Sequence, residues 1–242
     1  MASLLLGMML FSNTAQAQNL VKNGGFESNS GAGQLLWQPV TDWTLVISSV
    51  ATPNLGVRSL APGGVLLWGL TPYANNNGFR ASNNGGFFIA NDSDPQHGGD
   101  ISQVIDGLTP GNQHDSSFEY TWVQEAPAGG NTWQYVYGTF GLESFQTPTG
   151  YLPSHGFDGG PGPPDGDGWY TYTKSFTASS TSQTLKFLAN GGPAGLPPMA
   201  LLDGISLTDT TPVPGPVPLM GVGATLAWSR GLHRRIKRSV LN

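Results

Sequence analysis

Between residues 19 and 209, apolar and aromatic positions recur in short runs separated by clusters of Gly, Pro, Asn and Asp. Within several runs the spacing is two, the period of a strand with one buried face. Phe118, Tyr120 and Trp122 share one side, as do Trp133, Tyr135 and Tyr137, and Leu185 and Phe187 share another. The pattern predicts strands at 20–22, 43–50, 65–69, 86–90, 101–105, 117–124, 133–140, 169–176, 184–188 and 200–207. Turn chemistry lies between them, in Leu108-Thr109-Pro110-Gly111-Asn112, Ala126-Pro127-Ala128-Gly129-Gly130-Asn131 and Asn190-Gly191-Gly192-Pro193. No amphipathic stretch of helical period exceeds two turns. The expected fold is therefore all-β, a sandwich of antiparallel strands.

The two ends break this pattern. Leu4 to Phe11 is apolar and runs into Ser12-Asn13-Thr14 and Ala15-Gln16-Ala17. An apolar stretch followed by a small-x-small site reads as a secretory signal peptide over 1–17, although no Lys or Arg precedes it. At the other end, a Pro-rich stretch (Pro212 to Pro218) leads into a short apolar run, Leu219 to Trp228. Arg230, Arg234, Arg235, Lys237 and Arg238 then close the chain. Counted from Val217 to Trp228, twelve residues of helix span about 18 Å, against roughly 30 Å of hydrocarbon, so this segment is a marginal or temporary anchor. Its basic cluster would stay cytoplasmic and leave the domain outside. The plainer alternative is a basic amphipathic tail lying on a membrane surface. The organisation is thus signal peptide 1–17, sandwich domain 18–211 and tail 212–242.

Charge sharpens the division. All 15 acidic residues lie between Glu27 and Asp209, and 18–211 holds five basic residues, so the domain carries −10 while the tail carries +5. Such a domain repels phosphate backbones, which excludes nucleic acid as a partner and favours divalent cations and neutral sugars. The chain has no cysteine, so disulfides, thiolate metal sites and cysteine nucleophiles are excluded.

The tail's order of Pro motif, apolar segment and basic cluster resembles a PEP-CTERM sorting signal, with Pro214-Gly215-Pro216 where Pro-Glu-Pro is usual. That resemblance implies processing by an exosortase-type membrane enzyme after export, and residence at the cell surface or in the extracellular matrix.

A second resemblance covers most of 19–209. Asn19-Leu20-Val21-Lys22-Asn23-Gly24-Gly25-Phe26-Glu27 is similar to the first strand of galactose-binding-domain-like jelly rolls, a fold of many carbohydrate-binding modules. Leu201-Leu202-Asp203-Gly204-Ile205-Ser206-Leu207 resembles their last strand. His114 departs from the pattern, standing where an aromatic usually follows the Pro-Gly turn. The resemblance implies an antiparallel jelly-roll sandwich with a structural calcium. By position, Glu27 and Asp203 would supply carboxylate oxygens and Gly25 a carbonyl, the hard donors calcium requires. The plainer alternative has Glu27 capping a strand edge and Asp203 sitting in a bulge beside Gly204. The Gly156–Gly168 loop carries Asp158, Asp165 and Asp167 but lacks the other ligands of a calcium loop, and reads as a solvated insertion.

Catalytic signatures are sparse. No Gly-x-Ser-x-Gly elbow or His-Glu-x-x-His is present, and no carboxylate pair is singled out for glycoside hydrolysis. Glu119 reads as solvent-facing. Sugar binding needs exposed aromatics with polar neighbours, and the candidates are Trp133 and Tyr135 beside Gly130, Asn131 and Gln134. An aromatic row at strand period equally suits a core. The expectation is a non-catalytic module that binds extracellular polysaccharide. A structural matrix or adhesion protein without a glycan pocket is the alternative, and a glycoside hydrolase the weaker one.

Overall fold

The computed structural model describes residues 18–28, 35–36, 40–47, 54–55, 57–58, 82–84, 87–96, 99–125, 129–154, 157–158, 169–196 and 198–210. The chain divides into two compact units, Met1–Thr210 and Thr211–Asn242, and every described residue belongs to the first. The signal segment 1–17, the strand predicted at 65–69, the 159–168 insertion and the tail with its Pro214-Gly215-Pro216 motif lie outside the described residues. So does the basic cluster of Arg230, Arg234, Arg235, Lys237 and Arg238. Among the described residues no helix is long and apolar enough to cross a membrane.

Every named element is a strand. In chain order they are β1 (Leu35–Leu36), β2 (Thr44–Ile47), β3 (Asn54–Leu55), β4 (Val57–Arg58), β5 (Phe87–Asp92), β6 (Gly99–Asp106) and β7 (Gln113–Gln124). β8 (Thr132–Phe140), β9 (Glu143–Gln146), β10 (Gly150–Leu152), β11 (Phe157–Asp158), β12 (Tyr170–Thr177), β13 (Ser182–Gly192) and β14 (Pro198–Asp209) follow. One antiparallel sheet runs β10-β8-β13-β6-β2, with β9 also on β8; the other runs β11-β7-β14-β5-β4, with β12 also on β7. We call them the first and second sheets. β1 and β3 pair separately. The segment predicted as a strand at 20–22 instead forms a single bridge, Asn19 to Thr208, anchored by Leu20 N donating to Leu207 O at 2.8 Å.

The period-two rows pack as a sandwich requires. Phe118, Tyr120 and Trp122 of β7 point inward and meet Val136, Phe140, Leu185 and Phe187 of the first sheet in one buried core. Phe118 and Phe187 meet edge to face across it, ring centroids 5.1 Å apart. His114 is also buried, its ring 6.5 Å from that of Phe140. It therefore occupies a core position that an aromatic would otherwise fill.

The second sheet is apolar on its outer face too. Phe88, Ala90, Val123, Trp169, Met199 and Leu201 form a separate buried cluster there. Trp169 packs against Phe88 with centroids 5.5 Å apart. The outer face of the first sheet is different.

Candidate functional site

Along β8 burial alternates strictly: Thr132, Gln134, Val136 and Phe140 turn inward, while Trp133, Tyr135, Tyr137 and Thr139 turn outward. Trp133 is 40% exposed and Tyr137 38%. Across the ladder Trp133 faces Gly192 of β13 on one side and Tyr151 of β10, 76% exposed, on the other.

Gly192 sets the posture of the indole. A Cβ built there would stand 3.2 Å from Nε1, Cε2 and Cζ2 of Trp133 alike. Equal distances to three contiguous ring atoms put that point to one side of the indole plane, at its Nε1–Cζ2 edge. The missing side chain at Gly192 is what lets this edge of the indole come so close to β13. The Tyr135 ring is nearly parallel to it, at 20° with centroids 6.2 Å apart. Together the two rings, stacked and offset, make an aromatic floor that Tyr151 can extend at the sheet edge.

Polar groups flank the floor. Asn190 pairs with Tyr135 on β13 and is half-buried. Where the turn before β8 meets the end of β10, Gly130 N donates to Ser154 Oγ at 2.9 Å and Ser154 N donates to Asn131 Oδ1 at 3.2 Å. Gln134 does not take part. As the residue between Trp133 and Tyr135 it faces the core, fully buried, with both amide atoms unpaired. The sequence expectation that placed it beside the sugar-facing rings is corrected by the strand period.

A second cluster lies on the outer side of the second sheet. Asp203 and Glu119 are direct partners in the β14–β7 ladder, and the register shifts just after Asp203, between it and Ser206. Asp203 is buried. Its Oδ1 accepts Gly204 N at 2.7 Å and Asn84 Nδ2 at 3.2 Å, and its Oδ2 accepts the Ser82 hydroxyl. Glu119 accepts the Asn83 side-chain amide and, at 3.2 Å, Asn84 N. Glu27 accepts Phe87 N, the first amide of β5, at 2.7 Å.

The first loop is folded to reach this cluster. Asn23 and Phe26 both take left-handed backbone angles, φ 48° and 56°. Phe26 N closes a turn onto Asn23 O at 3.1 Å, and the Phe26 ring plugs the core against Trp43 at 5.4 Å. Gly24 O accepts Ile205 N at 3.0 Å. Gly25 is packed so closely that a Cβ would come 2.3 Å from Asn84 Nδ2.

Burial pushes the Asp203 carboxyl up to about 7, the nearby negative charges of Glu119 and Glu27 push the same way, and the Ser82 and Gly204 hydrogen bonds only partly oppose them. A buried acid facing two more acids is a natural seat for a cation. The groups near it that could ligate a metal, the Ser82 hydroxyl and the Glu119 and Glu27 carboxylates, are oxygens, which suits calcium. The cage is not closed: among the described residues no three His, Cys, Asp or Glu side chains gather as a metal-holding group. Amide hydrogens of Asn83, Asn84 and Phe87 occupy the carboxylate oxygens instead. Turning the Asn83 and Asn84 amides would present their oxygens to a cation.

The structure therefore brings Gly25, Glu27 and Asp203 into one neighbourhood, and both plainer features are present as well: Glu27 caps β5 and Asp203 sits at a bulge. Glu119 is a correction. It is not simply solvent-facing but binds Asn83 and Asn84 beside Asp203. Only its registry with a residue far along the chain reveals this, so no local motif marks it. Trp133 and Tyr135 lie on the other sheet, on the opposite outer face of the sandwich.

No family model matches the chain, and no curated protein matches it. Several solved structures are similar. The carbohydrate-binding module TmCBM61, solved in complex with β-1,4-galactotriose, matches at 13% identity and a TM-score of 0.43, over 80% of this chain and 99% of that one. The CBM22-1 xylan-binding domain of Xyn10C from Paenibacillus barcinonensis matches at 8% identity and 0.38, over 81% and 97%. The K3 adhesin domain of Lys-gingipain from Porphyromonas gingivalis matches at 15% identity and 0.41, over 80% and 98%. At TM-scores below 0.5, none of these likenesses assigns a ligand to this chain.

Proposed function

We propose that this protein is an exported, non-catalytic module that binds polysaccharide through the outer face of its first sheet. The observation that carries the reading is the Trp133 indole, 40% exposed beside Gly192 on the outer face of β8 and stacked with Tyr135. A pyranose has apolar C–H faces and a rim of hydroxyls. An exposed aromatic pair bordered by amides and hydroxyls complements both parts. Hydrolysis would need two carboxylates flanking a bond held on this floor. The paired acids Asp203 and Glu119 are instead on the other sheet, and Asp100 on the floor's own sheet is paired with Lys186.

The remaining parts of the reading come from the sequence. The fold is a jelly roll, residues 1–17 direct export, and 212–242 form a PEP-CTERM-like tail handled by an exosortase-type enzyme. The tail holds the protein at the membrane at least transiently, on its way to the cell surface or extracellular matrix. A structural calcium held by Glu27, Asp203 and the Gly25 carbonyl, with Glu119 beside them, would neutralise the acidic cluster and tie the first loop to the last strand.

Glycan-array binding by the full-length protein with calcium present tests the function. Saturable binding to one class of neutral glycan is expected. A blank array would sink the binding role and favour a structural matrix or adhesion protein. Deleting 212–242 should release the protein into the medium, and cell retention of the truncated chain would remove the sorting role.

A further inference from the structure

The outward row of β8 does not stop at its tyrosines. Two residues beyond Tyr137 it reaches Thr139, which opens a pocket of about 410 Å³ between the β8–β9 turn and the β12–β13 turn. The volume is in the range of small-ligand sites. Its wall is rich in hydroxyls, from Thr139, Ser179, Ser182 and Thr184, with the Lys186 ammonium at one side and Leu142 at the rim. Leu142 is 94% exposed, an apolar side chain held out at the tip of the turn.

Two features make this more than a polar dent. Gln183, 6% exposed, lines it and bridges the two turns: its Oε1 accepts Ser179 N at 2.6 Å and Ser180 N at 3.2 Å, while its Nε2 lies against Gly141 with no hydrogen-bond partner. A buried amide N–H₂ without an acceptor is costly unless something supplies one. Lys186 is already neutralised by Asp100, so the pocket carries no free charge with which to select an ion. Many hydroxyls, one apolar lip and no free charge together suit a neutral, hydroxyl-bearing ring.

From Trp133 to Thr139 the strand advances six residues, about 20 Å, well beyond one sugar ring. We infer that the pocket is a second subsite of the glycan surface, and that the ligand is an extended neutral polysaccharide chain lying along β8. One part of the chain stacks on Trp133 and Tyr135, and another places its hydroxyls among Thr139, Ser182 and Thr184. This rests on the platform being a glycan site, and it names the ligand as a chain rather than a terminal sugar.

Calorimetric titration of the full-length protein with neutral β-1,4-linked gluco-, xylo-, manno- and galacto-oligosaccharides, from disaccharide to hexasaccharide, tests it. Affinity for the bound series should climb on the order of tenfold as the chain lengthens. Ser182→Trp, which fills the pocket from an exposed position, should return the hexasaccharide to the affinity of the disaccharide and leave the disaccharide unchanged. Affinity that is flat with length, or a hexasaccharide indifferent to Ser182→Trp, would overturn the second subsite while leaving the platform standing. Failure of every oligosaccharide to bind would overturn both.

Discussion

The two sheets of this sandwich expose opposite chemistry on their outer faces, and a pair of tryptophans shows the difference. Trp169, on the second sheet's side, is 5% exposed and packed against Phe88, Val123 and Leu201. Trp133, on the first sheet, is 40% exposed beside a glycine. One ring is used for stability and the other is left available. A sheet needs only one apolar face to build a core, so the exposed aromatics on the outer face of the first sheet are what the proposed glycan role rests on.

The largest effect that would break this contrast is on the buried side. Trp169→Ala should cost about 3–5 kcal/mol, as for a large aromatic removed from a packed cluster. The melting temperature should drop steeply, while any protein that remains folded binds glycan normally. A mild loss of stability would mean the outer cluster is not a second core.

The acidic cluster gives a smaller effect with a definite sign. Asp203 has an ordinary carboxyl value of 3.8 and a native one raised to about 7. Between those values the native state holds a proton that the unfolded chain has released. In metal-free protein this contribution is therefore fully present below pH 3.8 and is lost as pH rises through about 7. Asp203→Asn should flatten that slope in pH-dependent melting. If Glu27 and Asp203 bind calcium, added calcium should raise the melting temperature more at pH 8 than at pH 5, and chelator should reverse it. No response to calcium at either pH removes the metal and leaves the cluster as a hydrogen-bonded clasp.

Gly192→Val should have the smallest effect on stability and an informative one on binding. A Cβ 3.2 Å from the indole makes the ring give way, and the valine methyls displace it further. Glycan affinity should fall several-fold with melting nearly unchanged. Unchanged affinity would show that the placement of Trp133 against Gly192 does not matter.

Much of this architecture is legible in the sequence because it is local. The alternation of 117–124 and 133–140 gives strands and the residues that share a side, and β7 and β8 extend those runs only modestly. What alternation cannot say is which side is wet. Phe118-Tyr120-Trp122 and Trp133-Tyr135-Tyr137 look equivalent in the sequence, yet the first row is core, while in the second Trp133 and Tyr137 are exposed and Tyr135 is half-buried against the core. Only pairing with Gly192 and Tyr151 distinguishes them. The short polar β9 and the three-residue β10 carry too few apolar positions to register as periodic. Glu119 escapes for a related reason, since its meaning depends on the β7–β14 register rather than on its neighbours. Asn19 is the converse case. Its Oδ1 accepts both Val21 N and Leu207 N, so a segment that reads as a strand is held by one side chain and a bridge.

The most direct test of the central claim is retention of polysaccharide by Trp133→Ala and Tyr135→Ala proteins in affinity electrophoresis, with melting temperature measured in parallel. The account predicts that retention is lost, on the order of tenfold or more in affinity, while the melting temperature stays close to that of the parent protein. Unchanged retention would place the ligand elsewhere, and unfolding of both variants would return these rings to the core.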